Sequence, residues 1–233
     1  MLLEVKALTK KYGVNTVLDN VQFSIVEGGI TGLIGPNGSG KTTLFEVLAG
    51  MASADAGEVH FQGQSLPAED RKKMLFYLPD GIRPWADQPV GWLLRFFAGL
   101  YGASQSDVLV LTESLQLKSL EKSRAGSLSK GELKRLLLAM GLLTPHPLLL
   151  LDEPFDGLDF RQTRDVMMLL KSFPSSKRTL FLSIHQLTDA ARVCHRLVLL
   201  GKGRVVGQGT LEELQAQASI ADGGLEEVFL ALT

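Results

Sequence analysis

The chain carries a single cysteine, Cys194, so no internal disulfide can form and a cysteine-based zinc cluster lacks its ligands. A reducing compartment is the expectation. It also lacks an excess of either charge: 24 Lys and Arg stand against 25 Asp and Glu, a formal net charge of -1. Nucleic-acid binders carry a basic excess or stripe, so no nucleic-acid partner is expected. Long hydrophobic runs are missing as well. Stretches such as 148–151 and 197–200 fall far short of the roughly 20 apolar residues that cross a bilayer as a helix. The opening MLLEVKALTKKYG alternates apolar and polar residues without the basic start, apolar run and cleavage site of a secretory leader, so export is not expected. Any membrane association then has to come through a partner or a surface.

What is present forms a core. A hydrophobic fraction of 45% over 233 residues suffices for one buried domain, or one domain with an inserted lobe, without covalent staples. Strand patterns cover 2–5 and 17–26, the latter with Val21, Phe23 and Ile25 on one side. A short apolar strand, 30–34, runs into a glycine-rich turn and a helix over 41–49. A hairpin-like stretch (57–64) and a strand (75–78) follow. From about 84 to 144 apolar residues recur at helical spacing, as in Trp92, Leu93, Phe96, Phe97 and Leu100. Strand and helix then alternate again: strand 148–151, helix 161–172, strand 179–184, helix 187–193 and a hairpin over 196–206. Strands separated by helices predict an α/β fold with a mixed, mostly parallel sheet covered on both faces, preceded by an antiparallel β part. The predicted division is a core of 1–83 and 145–233 with a helical lobe, 84–144, inserted into it.

Two patterns carry chemistry. Gly35-Pro36-Asn37-Gly38-Ser39-Gly40-Lys41-Thr42 is a glycine, four residues, then Gly-Lys-Thr, between a strand and a helix. The glycines let backbone N–H groups turn inward around phosphate oxygens, and the helix adds its positive N-terminal end. Lys41 is placed to reach the β- and γ-phosphates and the Thr42 hydroxyl to ligate magnesium, which makes this a P-loop NTPase core binding Mg-ATP or Mg-GTP. The second pattern is the apolar strand 148–151 ending in Asp152-Glu153. Ligands in open α/β sheets bind beyond the carboxyl ends of the strands. Asp152 is accordingly expected to hold magnesium and Glu153 to act as general base on the attacking water. A carboxylate pair at a strand end is otherwise a solvated turn or a helix cap.

Leu128-Ser129-Lys130-Gly131-Glu132 reads first as a capping box, Ser129 with Glu132 three residues later, and a capped helix N-terminus is also an anion site. The same segment resembles the signature Leu-Ser-Gly-Gly-Gln of ABC (ATP-binding cassette) ATPases. It departs at two of five positions and keeps the serine and second glycine that contact phosphate in that family. Phe155-Asp156-Gly157-Leu158-Asp159 resembles the family's D-loop, His185 its switch histidine, and Tyr12 the aromatic residue on which adenine stacks. Taken singly, Tyr12 reads as packing and His185 as a hydrogen-bonded structural residue. Their order along the chain identifies it as a member of the ABC ATPase family over essentially its whole length.

The resemblance implies a single ABC ATPase domain over 1–233 with ATP and Mg2+ as cofactors. It places nucleotide contacts at Tyr12, Gly35, Pro36, Asn37, Gly38, Ser39, Gly40, Lys41, Thr42 and Thr43, and at Ser129, Gly131 and Asp159. It places catalysis at Glu153 and His185 supported by Lys41, and metal binding at Thr42, Asp152 and Asp80. It further implies a head-to-tail homodimer, or a heterodimer with a related ATPase subunit. Separate transmembrane permease subunits hold that dimer at the cytoplasmic face of the cell's inner membrane and choose the substrate. The signature variant and the short ending after Thr210, without an appended regulatory domain, resemble bacterial exporters. A non-transport ABC ATPase is the alternative, although such proteins carry paired cassettes, long coiled-coil insertions or zinc modules.

A further position departs from the family. After the strand 75–78 and Pro79 the family has a glutamine that contacts magnesium and water and links to the membrane subunit; here Asp80-Gly81 follows, and Gln88 comes too late. Asp80 is expected to reach magnesium through water while adding negative charge beside the phosphates and Glu153. The departure also keeps open a nucleotide-sensing subunit with weak hydrolysis. The aromatic segment 85–101 belongs to the region that receives the membrane subunit in the family.

Overall fold

The computed structural model describes residues 1–173 and 178–233. Two antiparallel strands open the chain, β1 (Leu3–Tyr12) and β2 (Asn15–Ile25). β1 runs well past the apolar stretch that predicted it, through Lys10 and Lys11. It lies between β2 and β4 (Ala56–Phe61) in a four-stranded sheet of order β2-β1-β4-β5; β4 pairs with it only as far as Thr9, and beyond that β2 carries its polar end while the Lys11 N–H donates to Asp55 Oδ2 at 2.6 Å. β5 is the two-residue strand Gln64–Ser65. In β2 the buried set shifts phase between Leu18 and Val21, because Asn20 takes a φ of 51° where the register against β1 slips.

β3 (Ile30–Ile34), α1 (Lys41–Leu48), α2 (Ala68–Met74) and β6 (Leu75–Leu78) come next along the chain. The helices α3 (Val90–Tyr101), α4 (Gln105–Ser114) and α5 (Lys130–Leu142) precede β7 (Leu148–Asp152), α6 (Phe160–Ser172) and β8 (Thr179–Ile184). α7 (Leu187–Val193), the hairpin β9 (Arg196–Gly201) and β10 (Arg204–Gly209), α8 (Leu211–Ala218) and α9 (Leu225–Leu232) complete the chain. The second sheet has the order β10-β9-β3-β8-β7-β6. β9, β3, β8 and β7 run parallel, and β10 returns antiparallel on the edge. Every residue of β3, β7 and β8 is buried, as strands covered on both faces require. The expected mixed α/β architecture with an antiparallel N-terminal sheet is what forms.

The described chain falls into two compact units. The first comprises Met1–Tyr77, Pro147–Asp152 and the described part of Pro174–Thr233. Its core lies between the two sheets. Phe45 of α1 packs on Phe181 of β8 with ring centroids 5.0 Å apart, and Phe23 of β2 reaches the same ring at 5.6 Å. Each such buried side chain contributes about 1.5–3 kcal/mol relative to exposure. The second unit comprises Leu78–His146 and Glu153–Phe173, so α6 belongs to it along with α3, α4 and α5. There α5 buries nearly its whole length, and the Arg135 guanidinium donates to the Leu115 carbonyl at 2.8 Å, capping the end of α4 with a cation. The α3 stripe divides: Leu93 and Leu94 are buried, whereas Trp92 and Phe96 stack 5.0 Å apart, partly exposed, with Trp85 against both.

Candidate nucleotide site

In the first unit, β3 delivers the chain into the loop 35–40, and α1 starts at Lys41. Gly40 stands at the helix N-cap with φ 103°, and a Cβ there would lie 2.9 Å from Leu18 Cδ2 and 3.1 Å from the Val17 carbonyl oxygen, so only glycine fits. No side chain caps α1 and its first turn holds no acidic residue. Its first N–H groups and positive dipole end are thereby left to the loop, an anion site by construction. Pro36, Asn37 and Gly38 form the exposed crest, and Thr43 is half-buried. Lys41 is buried, its Nζ donating to the Gly35 carbonyl at 2.8 Å and that of Pro36 at 3.3 Å. The Ser39 hydroxyl is buried and finds no hydrogen-bond partner, a cost that a polar ligand in the loop would remove.

Thr42 and Asp152 come together in this unit: Thr42 Oγ1 donates to Asp152 Oδ2 at 3.1 Å. Asp152 is 4% exposed, and two hydroxyls that the sequence did not single out also serve it. Ser183 at the end of β8 donates to Oδ1 in a short bond, and Tyr77 at the end of β6 reaches Oδ2 at 3.3 Å. Among the described residues no ion pair reaches this buried carboxylate. A carboxylate beside a hydroxyl is the hard oxygen donor set that Mg2+ takes, so the residues fit that ion. Tyr12, at the end of β1, is 48% exposed with Lys10 Nζ 4.9 Å from its ring centroid, which leaves ring surface open for stacking. His185 is exposed immediately after β8.

In the second unit Ser129 caps α5 in the predicted box: its N–H donates to Glu132 Oε2 at 2.8 Å and its Oγ accepts from the Glu132 N–H at 3.4 Å. The bond from the Ser129 N–H, joined by one from the Ser129 side chain, holds the Glu132 carboxyl below its ordinary pKa. Gly131 is buried where a Cβ would come within 2.9 Å of the Gly157 carbonyl and of Gln162 Oε1, so close packing requires this glycine independently of any ligand. Asp159 is the N-cap of α6, accepting from the Gln162 N–H at 2.9 Å. Lys130 and Asp156 form an exposed ion pair at 2.7 Å that lowers the Asp156 pKa and raises that of Lys130.

Asp80 does not add a bare negative charge to its surroundings. Its Oδ1 accepts from Lys134 Nζ at 2.7 Å, and the same ammonium donates to the Glu153 carbonyl oxygen at 2.9 Å. Lys134 carries no mark of this role in the sequence, where it sits in a charge-rich run. Its spacing of three from Gly131, which puts both on one side of a helix, was the available signal.

A phosphate loop on a parallel sheet, with a buried carboxylate at the end of β7, one strand removed from β3 in the same sheet, defines a nucleotide-binding cassette. Residues 18–156 match the family described as ABC transporter, and the chain belongs to that family. It is 31% identical over 240 residues to the probable multidrug ABC transporter ATP-binding protein YbhF of Escherichia coli (strain K12), a match covering 99% of this chain but 41% of that protein. The Nod factor export ATP-binding protein I of Paraburkholderia xenovorans (strain LB400) is 34% identical over 92% of this chain and 72% of its own length. A solved ATP binding subunit of an ABC transporter superposes with a TM-score of 0.90 at 28% identity, covering 100% of this chain and 99% of its own. Among the described residues no helix is long and apolar enough to cross a membrane.

Proposed function

We propose that this chain binds Mg-ATP and hydrolyses it as one half of a dimer, powering separate transmembrane permease subunits at the cytoplasmic face of the membrane. The observation that carries this reading is the pairing of Thr42 with buried Asp152 beside a loop whose Ser39 hydroxyl lacks a partner. In this reading backbone N–H groups of 35–43 and the Lys41 ammonium bind the phosphates, and Lys41 exchanges its loop carbonyls for phosphate oxygens. Tyr12 stacks on adenine. Thr42 and Asp152 hold Mg2+, which when bound neutralises charge on the phosphate oxygens. Asp80 is committed to Lys134 and takes at most a water-mediated part.

Glu153 is the general base that accepts a proton from the attacking water, and His185 hydrogen-bonds the transferring phosphoryl group. Catalysis of this kind is mainly positioning and electrostatics. Ser129 and Gly131, at the N-terminal end of α5, present donors to the nucleotide held by a second subunit, and Asp159 follows in the neighbouring loop. The export reading is supported by the names of relatives, which include a multidrug and a Nod factor export protein. The partly exposed cluster of Trp85, Trp92 and Phe96 is the surface offered to the membrane subunit.

The test is ATP turnover of the purified chain. Glu153→Gln is expected to lower kcat by about a hundredfold or more while nucleotide affinity stays within about threefold. Unchanged hydrolysis in that variant removes Glu153 as the base, and absence of turnover in the wild type removes the ATPase reading.

A further inference from the structure

Glu153 has a φ of 48°, in the left-handed region that non-glycine residues avoid, and it precedes Pro154, whose ring further restricts the backbone before it. A side chain whose task is to aim a carboxylate therefore sits on a backbone that does not hold this conformation by preference. Its carbonyl oxygen accepts two bonds, one from the Asp156 N–H at 3.2 Å and one from Lys134 Nζ at 2.9 Å. The first is a local turn. The second comes from α5, nineteen residues earlier in the chain.

The Lys134 side chain is 8% exposed, and an ammonium so placed needs an opposite charge. Asp80 supplies it at 2.7 Å from its own half-exposed position. One buried cation thus ties together the loop at Asp80, the helix that opens at Ser129, and the peptide that follows Glu153. Bonds from a charged donor are shorter and stronger than neutral ones, and this one fixes the rotation of the peptide immediately after the Glu153 Cα.

Resting on the reading of Glu153 as the base, we infer that Lys134 is a positioning residue for Glu153 and that Asp80 acts by holding Lys134 in place. Lys134 touches no reacting atom. It sets the backbone from which the carboxylate projects, so its loss lowers the rate of the chemical step and leaves nucleotide binding in place.

The experiment compares kcat and KM for Mg-ATP in the wild type, Lys134→Met, Lys134→Arg, Asp80→Asn and the Asp80→Asn/Lys134→Met double variant, each normalised to its folded fraction. Displacing a catalytic group by about 1 Å costs on the order of a hundredfold, so Lys134→Met is expected to lower kcat at least about tenfold with KM within about threefold. Asp80→Asn should fall in the same sense by less, and the double variant should be no worse than Lys134→Met alone. Lys134→Arg, which keeps the charge, should recover most of the loss. If Lys134→Met does not fold, Asp80→Asn at its half-exposed site carries the same kcat-against-KM test. A purely structural pair would lower the denaturation midpoint while leaving kcat per folded molecule unchanged, and that result overturns the inference. So do multiplicative losses in the double variant. A wild type that turns over normally and loses activity in Glu153→Gln, beside an unaffected Lys134→Met, removes this inference alone; a wild type without turnover removes both.

Discussion

Thr42 Oγ1, in the first turn of α1, donates to Asp152 Oδ2 at the end of β7 over 3.1 Å. The bond joins the helix that follows the phosphate loop to a strand more than a hundred residues away. Replacing Thr42 with Val keeps the shape and removes the hydroxyl. The free Mg2+ needed for half-maximal nucleotide binding is expected to rise about tenfold, or ~1.4 kcal/mol, while Mg2+-free ATP binding is unchanged. A magnesium titration followed with a fluorescent ATP analogue measures both, and an unaltered requirement takes Thr42 out of the metal site.

Stacking at Tyr12 is open to a similar comparison. Base–aromatic stacking contributes roughly 1–3 kcal/mol, so Tyr12→Ala should weaken ATP binding by about tenfold or more, and Tyr12→Trp should retain or improve it. Equal affinity in both variants means the ring serves packing alone.

Gly131 and Gly99 make opposite predictions from the same substitution. A Cβ at Gly131 collides with the Gly157 carbonyl at 2.9 Å, whereas one at Gly99, within α3, meets nothing within 4 Å. Gly131→Ala is expected to cost about 1–3 kcal/mol of stability by overpacking. Gly99→Ala should add about 0.5–1 kcal/mol by favouring the helix. Urea denaturation of each variant decides the pair.

Glu132 supplies the pH prediction. Its carboxyl, lowered by the Ser129 bonds, releases its proton more readily folded than unfolded. The stability it contributes is therefore complete above the ordinary carboxylate pKa of about 4.3 and is lost as pH falls through the lower folded value. Between about pH 5 and pH 3 the wild type should lose stability more steeply than Glu132→Gln, which keeps a side-chain acceptor but cannot titrate. Parallel slopes in denaturation midpoint against pH would mean that the cap carries no pH dependence.

The core supplies the last expectation. Phe181 meets both Phe45 and Phe23, so Phe181→Ala should cost about 3–5 kcal/mol and shift the denaturation midpoint accordingly.

Local sequence was sufficient for much of this protein. β6, β8 and α7 fall on the predicted residues, because short apolar runs bounded by polar or glycine-rich segments have few other ways to satisfy their backbone. The phosphate loop was legible for the same reason: its glycines, lysine and threonine act within eight consecutive positions, and contiguous chemistry leaves a contiguous pattern. The same holds for the Ser129–Glu132 box, whose partners are three residues apart.

Only the tertiary structure decided what depends on distant partners. β1 extends to Tyr12 because β2 pairs with it through that residue, and nothing in Lys10-Lys11 announces that. Tyr77 and Ser183 meet Asp152 from different strands of one sheet. Asp80 read as an added negative charge until α5 brought Lys134 against it, and the left-handed backbone at Glu153 shows in no local pattern. A side chain's charge is written in the sequence, but its partner is chosen by the fold, and in a buried setting the partner determines what that charge can do.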